Sequence, residues 1–248
     1  IVTKEKAKNQ ILLRYKMLPY NYNLAFENNQ NGTPLMRPLF FEEPNNLNLQ
    51  TVSTSYLWGN NFLVNPITKP NVTSVSVYFP AKNNWIDFYT DQKHLAGTTK
   101  VVKVSPDNIP IFVRGGSFIP LITPIQNTAA YSLKNFDLHF YFDEKTKTSN
   151  GKLYNDDGVT PNAFEKQMSE ILRFSSVITG KTLILKLDTT IGKLFEATDK
   201  TANLIIHNCK AKTILIDGKS VKFKTNKTVI EIPVVWLKNS SKEIKIQL

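Results

Sequence analysis

With 248 residues, 41% of them hydrophobic and 21% charged, the chain has the make-up of a globular protein of one to two domains with apolar material for real cores. No apolar run approaches the ~20 residues of a membrane-spanning helix, so no membrane partner is expected. The formal charge is +11, yet only four of the 31 basic residues are Arg (Arg14, Arg37, Arg114 and Arg173) and the lysines are scattered singly; dispersed Lys keeps β edges soluble rather than building a nucleic-acid face, so no nucleic acid is expected either.

The chain opens Ile-Val-Thr-Lys without Met and enters a helical pattern at once, which reads as an internal piece of a longer polypeptide. Residues 4–30 are the one strongly helical stretch. Between Ile11 and Phe26 the apolar stripe, including Leu12, Leu13, Met17, Leu18 and Leu24, is too wide for a surface helix, so burial on more than one side is expected. Pro19 predicts a kink or restart, and Asn31-Gly32 a stop, because Gly accepts the left-handed conformation after a helix.

From Thr33 the apolar period changes to two. Residues 35–41, 56–67, 74–79, 85–89 and 100–104 read as strands, and 56–67 as a strand pair split by Gly59-Asn60-Asn61. Residues 109–120 place Ile109, Ile111 and Val113 on one face before Arg114-Gly115-Gly116-Ser117. Paired glycines in a strand pattern mean a sharp bend or a close approach by another backbone; a glycine nest for an anion is the alternative. A second β block begins near Thr128, with Leu138, Phe140 and Phe142 on one face and Asp137, His139 and Tyr141 on the other, so His139 is expected to point outward. Leu183, Leu185 and Leu187 repeat the pattern. Asp217-Gly218 predicts a tight hairpin between 214–216 and 221–223, and 229–236 and 244–248 complete the block. The boundary is expected at 123–128.

Candidate chemistry is sparse. Glu42-Glu43, Asp143-Glu144 and Asp156-Asp157 are adjacent pairs, which strand geometry would point to opposite faces, so no catalytic carboxylate pair is nominated. Tyr154-Asn155-Asp156-Asp157-Gly158 reads as an Asx-held turn; a calcium loop with Gly158 at its sixth position would put Leu153 first and Phe164 twelfth, where neither can ligate. Cys209 is the single cysteine and alternates with strand residues as a small core side chain. With His94, His139 and His207 scattered, no zinc site of the common spacings forms. Asn31, Asn71, Asn226 and Asn239 head Asn-x-Ser/Thr sequons, which matter only in a secretory setting.

In order along the chain stand LRYKMLPYNYNLAFENNQNGTPLMRPLFFEEP, YLWGNNFLVNPI, VSVYFP, NWIDFYT, IPIFVRGGSFIPL and YNDDG. This series, across residues 12–158, resembles the C-terminal part of glycoside hydrolase family 31; Asn60-Asn61 and Asn65 depart from that family's more acidic and apolar pattern. The resemblance implies a mainly β chain of two antiparallel β-sandwich domains, proximal at 33–127 and distal at 128–248, preceded by a helical segment at 1–32 that is the last helix of a (β/α)8 barrel. It implies an α-glucosidase- or α-xylosidase-like parent, whose upstream barrel would be this chain's partner and would carry the catalytic aspartates and meet the oligosaccharide. It also implies an extracytoplasmic location. Catalytic, cofactor-binding and metal residues are therefore none in this chain. The alternative is a carbohydrate-binding module using Trp58, Trp85, Trp236, Tyr89 and Tyr141, for which exposed, coplanar rings would speak and buried rings would not.

Overall fold

The computed structural model describes residues 2–248. Two helices come first, α1 (Val2–Lys16) and α2 (Leu18–Asn31). They break at Met17, and Pro19 lies in the first turn of α2, where its missing N–H has no helical partner to lose. Gly32 ends α2 at φ 71°, its N–H donating to Asn28 O at 2.8 Å.

The first β block comprises β1 (Met36–Arg37), β2 (Tyr56–Trp58), β3 (Phe62–Val64), β4 (Ser74–Phe79), β5 (Trp85–Asp87), β6 (Lys93–His94), β7 (Thr98–Lys103) and β8 (Ile111–Arg114). Six of these form a sheet in the order β1-β2-β3-β8-β5-β6, while β4 and β7 pair separately. Then follow β9 (Phe118–Leu121), β10 (Asn135–Tyr141), β11 (Thr148–Asp156), β12 (Ser169–Thr179), β13 (Thr182–Ile191), β14 (Lys200–His207), β15 (Thr213–Ile216), β16 (Lys219–Ser220), β17 (Lys224–Asn226), β18 (Val229–Trp236) and β19 (Lys242–Gln247). These build a sheet β17-β18-β14-β10-β9 and a sheet β11-β12-β13-β19-β15-β16. All pairings are antiparallel except β10 with β14.

The strand period of two sorts these side chains into three cores. Leu63, Trp85 and Phe112 face the β4–β7 pair with Val77 and Phe79. Their chain neighbours Phe62, Val64, Ile86, Ile111 and Val113 point the other way, into a middle core with Met17, Tyr20 and Leu24 of the helices and Ile119, Leu121 and Tyr141 of the second block. Phe118, Leu138 and Phe140 turn into the third core, with Leu172, Leu185, Leu204, Ile232, Trp236 and Cys209. The molecule is thus four sheets in layers, with α2 sharing the middle layer of packing.

Several expectations change on contact with the fold. Residues 35–41 do not form one strand: Pro38 ends β1 and residues Leu39–Phe41 turn into a 3-10 helix. The Asp217-Gly218 hairpin forms with both residues at positive φ, but its return arm is Lys219–Ser220, and 221–223 leaves the sheet before β17. Residues 118–121, on the proximal side of the expected 123–128 boundary, pair with β10 of the second block. His139 does lie on the face of β10 away from the third core, but that face is covered by the first block rather than open to water.

Candidate functional site

Of the residues that sequence analysis singled out, Arg114–Ser117, Asp143, His139 and His207 lie at the seam between the two β blocks. Arg114-Gly115-Gly116-Ser117 carries the chain from β8 in one sheet to β9 in another. A Cβ on Gly115 would lie 2.6 Å from Asp143 Cβ, and one on Gly116, at φ 87°, would lie 2.6 Å from Thr146 Cγ2, so both positions exist for close approach. Their N–H groups donate to Asn84 O at 2.8 Å and Tyr141 O at 2.7 Å, which leaves no anion nest. Arg114 pairs with Glu42 at 2.8 Å and lies 4.6 Å from the Trp85 ring centroid; burial pushes its guanidinium down and Glu42 opposes this.

Asp143, fully buried, accepts from Asn84 Nδ2 at 3.0 Å, Lys93 Nζ at 3.2 Å and the Thr146 hydroxyl at 3.2 Å. Burial works against the Lys93 ammonium, but hydrogen bonds to Glu144 and Asp143 outweigh it and hold its pKa above the ordinary value. Beside this cluster, Asp91 Oδ1 meets His207 Nδ1 at 2.8 Å, and His207 Nε2 meets His139 Nδ1 at 2.8 Å. The Tyr141 ring stacks on His207 at 4.2 Å. Asp91 sits at φ 59° in the β5–β6 turn, so one block's turn reaches the other block's sheet.

On the helix side, α2 is fastened to both blocks. Tyr20 Oη donates to Trp58 O at 2.7 Å, and Trp58 Nε1 donates to Asn21 Oδ1 at 2.9 Å. Towards the second block, Tyr22 Oη donates to Asp156 Oδ1 at 2.7 Å, and Asn23 Oδ1 accepts from the Tyr154 N–H at 3.1 Å. Burial and the Asp156 carboxylate both raise the Tyr22 phenol pKa.

Each candidate carboxylate has a structural occupation. Burial pushes Glu43 up, but hydrogen bonds from Asn46, the Ala81 N–H and Tyr78 leave it below the ordinary value. Asp156 accepts from Tyr22, Tyr154 and the Gly158 N–H, and Asp157 accepts from the Thr160 hydroxyl and the Thr160 and Val159 N–H groups, lowering it to about 2. Residues 154–156 thus end β11, and the Asx-held turn follows at 156–160 with Gly158 at φ 67°. Among the described residues no three His, Cys, Asp or Glu side chains gather to hold a metal ion. A groove of about 670 Å³ runs beside α2, lined by Leu18, Tyr22, Tyr131, Lys134, Asp156 and Lys200; in it Lys200 pairs with Glu170 at 2.8 Å and Tyr22 donates to Asp156 at 2.7 Å, while the buried Tyr131 hydroxyl has no partner among the described residues.

The proposed binding aromatics are not a platform. Trp85, Trp236 and Tyr141 are buried, and Trp58 is half-buried against Tyr20 and Phe62; of the five only Tyr89 is exposed. What the surface does show is apolar side chains at Met36, Phe40, Phe41 and Leu47, and at Ile11 and Leu12 on α1. Sequence reasoning missed Met36, Phe40 and Phe41 because it took 35–41 for a strand, and it gave Leu47 no place. It missed the Asp91–His207–His139 chain because those residues are 68 and 116 positions apart in sequence.

Residues 32–119 match the family model described as the glycosyl hydrolase family 31 C-terminal domain. The chain is 38% identical over 150 residues to an alpha-xylosidase of Saccharolobus solfataricus, covering 60% of this chain and 20% of that protein. It is 31% identical over 215 residues to alpha-glucosidase 2 of Bacillus thermoamyloliquefaciens, covering 85% of this chain and 26% of that one. Among solved structures, a GH31 dextranase of Flavobacterium johnsoniae superimposes on all of this chain, and on 33% of its own, with a TM-score of 0.89 at 22% identity. The chain therefore spans between a fifth and a third of the length of these relatives.

Proposed function

On the premise that the chain belongs to glycoside hydrolase family 31 and carries that family's C-terminal domain, we propose that it is the non-catalytic β portion of a retaining α-glycosidase. In this reading 1–32 is the last helical segment of the catalytic barrel, 33–127 a proximal sandwich and 128–248 a distal one, with β9 lent by the proximal segment to the distal sheet. The barrel, in the remainder of a longer polypeptide, supplies the nucleophile and the acid/base carboxylate, and the reaction passes through a covalent glycosyl intermediate. An α-linked glucoside or xyloside is the substrate class, as the names of the relatives suggest.

The observation that carries this reading is the contrast between the two sides of the helical segment. Met17, Tyr20 and Leu24 are consumed by the middle core, while Ile11 and Leu12 remain uncovered, as do Met36, Phe40, Phe41 and Leu47. In this reading these exposed side chains of α1 and of 36–47 are the surface that the barrel covers. Burying one such side chain contributes about 1.5–3 kcal/mol. In the longer polypeptide, Phe41→Asp and Leu47→Asp lower the unfolding temperature markedly, while the same changes in the 248-residue chain leave it nearly unaltered. Equal effects in both contexts would contradict the docking role.

A further inference from the structure

We propose that the groove beside α2 is a saccharide-binding site, in which Tyr22 and Tyr131 flank a glucosyl unit of an α-linked oligosaccharide and the Tyr131 hydroxyl hydrogen-bonds to it. The site holds the sugar and breaks no bond. The choice of an α-linked sugar rests on the family reading given above.

Two elements far apart in sequence build the groove. On α2, Leu18 and Tyr22 are four residues apart and so share one face of the helix. A second wall comes from the segment that leads into β10, where the 3-10 turn Thr128–Ala130 is followed by Tyr131 and Leu133. The Tyr22 and Tyr131 rings meet edge to face, 6.1 Å between centroids and 64° between planes. The groove they line with the end of β11 is about 670 Å³, a usual size for a small-molecule cleft.

Several polar groups of the groove are already bonded. Lys200 Nζ pairs with Glu170 at 2.8 Å, and Asn155 Nδ2 donates to the same carboxylate at 2.8 Å. Asp156 accepts from the Tyr22 and Tyr154 hydroxyls, each at 2.7 Å, and from the Gly158 N–H at 2.9 Å. The Tyr131 hydroxyl is the exception: it is closed off from solvent and has no hydrogen-bond partner among the described residues. An unpaired buried hydroxyl is costly, so a ligand that completes it is favoured. Burial keeps this phenol protonated, as a donor. Its turn is held by its own bonds, Ala130 N–H to Asn127 O at 3.2 Å and Tyr131 N–H to Thr128 O at 3.0 Å. A small shift of the turn therefore brings the hydroxyl to a ligand without breaking a sheet ladder.

The lining selects a neutral ring that carries hydroxyls. Leu18 and the two tyrosine rings offer apolar surface, against which the C–H faces of a pyranose pack. The charges nearly cancel: Lys134 and Lys200 stand against Asp156 and Asp157, with Glu170 bonded to Lys200. A strongly anionic or cationic ligand therefore meets no surplus of the opposite sign. Lys134 and Thr128 are exposed at the rim, where they can donate to sugar hydroxyls. A sugar seated here touches both α2 and the second block, so its binding stabilises their contact.

The test is a ¹H–¹⁵N shift titration of the full 248-residue chain with maltotriose and with isomaltotriose. Saturable shifts at 128–134, at 155–159 and at Tyr22, with the hairpin at 213–220 unmoved, are the expected result for at least one of the two. No saturable shift with either, or shifts confined to other residues, overturns the proposal. Sorbitol, a polyol without a ring, leaves these amides unmoved; an equal response to sorbitol also overturns it. Tyr131→Phe removes an unpaired hydroxyl, so it leaves the urea midpoint unchanged or raised while weakening sugar binding about five-fold or more. A lowered midpoint, or binding within about two-fold of the parent chain, counts against the role of Tyr131 and overturns the proposal. Tyr89→Ala, at an exposed ring outside the groove, leaves binding unchanged, and loss of binding there would place the site elsewhere. The same samples show the anomeric proton signals of any cleaved sugar. Turnover, which would sink the non-catalytic reading, is thereby separated from failure to bind, which sinks only this proposal.

Discussion

Phe26 of α2 and Tyr154 of β11 stack face to face, 3.9 Å between centroids and 3° from parallel. With the Tyr22–Asp156 and Asn23–Tyr154 bonds, this stack ties the helix to the second block, while six residues earlier Tyr20 ties it to the first. Phe26 is half-buried, so Phe26→Ala forfeits part of a full core truncation plus the ring–ring term, about 1.5–2.5 kcal/mol in all. Urea unfolding of the chain, with the slope unchanged and the midpoint lowered, is the expected outcome; a midpoint equal to that of the parent chain would show the stack to be incidental.

The Arg114–Ser117 bend makes a steric demand. Gly115→Ala destabilises by about 1–3 kcal/mol, because its Cβ meets the backbone-anchored Cβ of Asp143 rather than a flexible tip. At Gly180, also a turn glycine, a Cβ meets nothing within 4 Å, and the cost of Gly180→Ala comes from its φ of 58° alone. Thermal unfolding of the two variants separates these causes: Gly115→Ala alone should also perturb the Asn84 and Lys93 resonances that report on Asp143.

Acid stability carries a histidine contribution. His94 stacks on Phe79 at 4.5 Å, and burial pushes it below its ordinary 6.5. The unfolded chain then binds the proton more readily, so stability is present above about pH 6.5 and falls as the pH drops below it. His94→Phe keeps the stacking and removes the titration. Its stability profile between pH 5 and 7 should be flatter than that of the parent, and an identical slope would mean that His94 takes no part.

Cys209 is buried in the third core, and burial pushes its thiol up to about 12. The native chain should not react with a thiol reagent at pH 8 within the time that the urea-unfolded chain reacts completely. Rapid native labelling would place Cys209 outside the core.

Much of this fold was legible because alternation survives burial. Phe112 and its neighbours Ile111 and Val113 enter different cores, as the period of two in 109–113 requires, and Gly115-Gly116 announced the bend. Pro19 and Gly32 marked the start and end of α2 because their backbone limits act locally. The sequence concealed what depends on pairing. Nothing in 118–121 states that it joins β10 rather than the sheet of β8, and nothing local brings β10 beside β14 in parallel. Pro38 could have warned against a strand at 35–41, since it has no N–H to give a ladder. The seam was the least visible part: Asp91, His139 and His207 each read alone as a turn or strand residue, and only the packing of two blocks makes them neighbours.

The central claim is that the catalytic carboxylates lie outside these residues. The direct measurement is hydrolysis of chromogenic α-glucosides and α-xylosides by the purified 248-residue chain between pH 4 and 8, beside the longer polypeptide that contains it. The account predicts turnover by the longer polypeptide and none above buffer for the chain. Turnover that stays with the chain through repurification would contradict it.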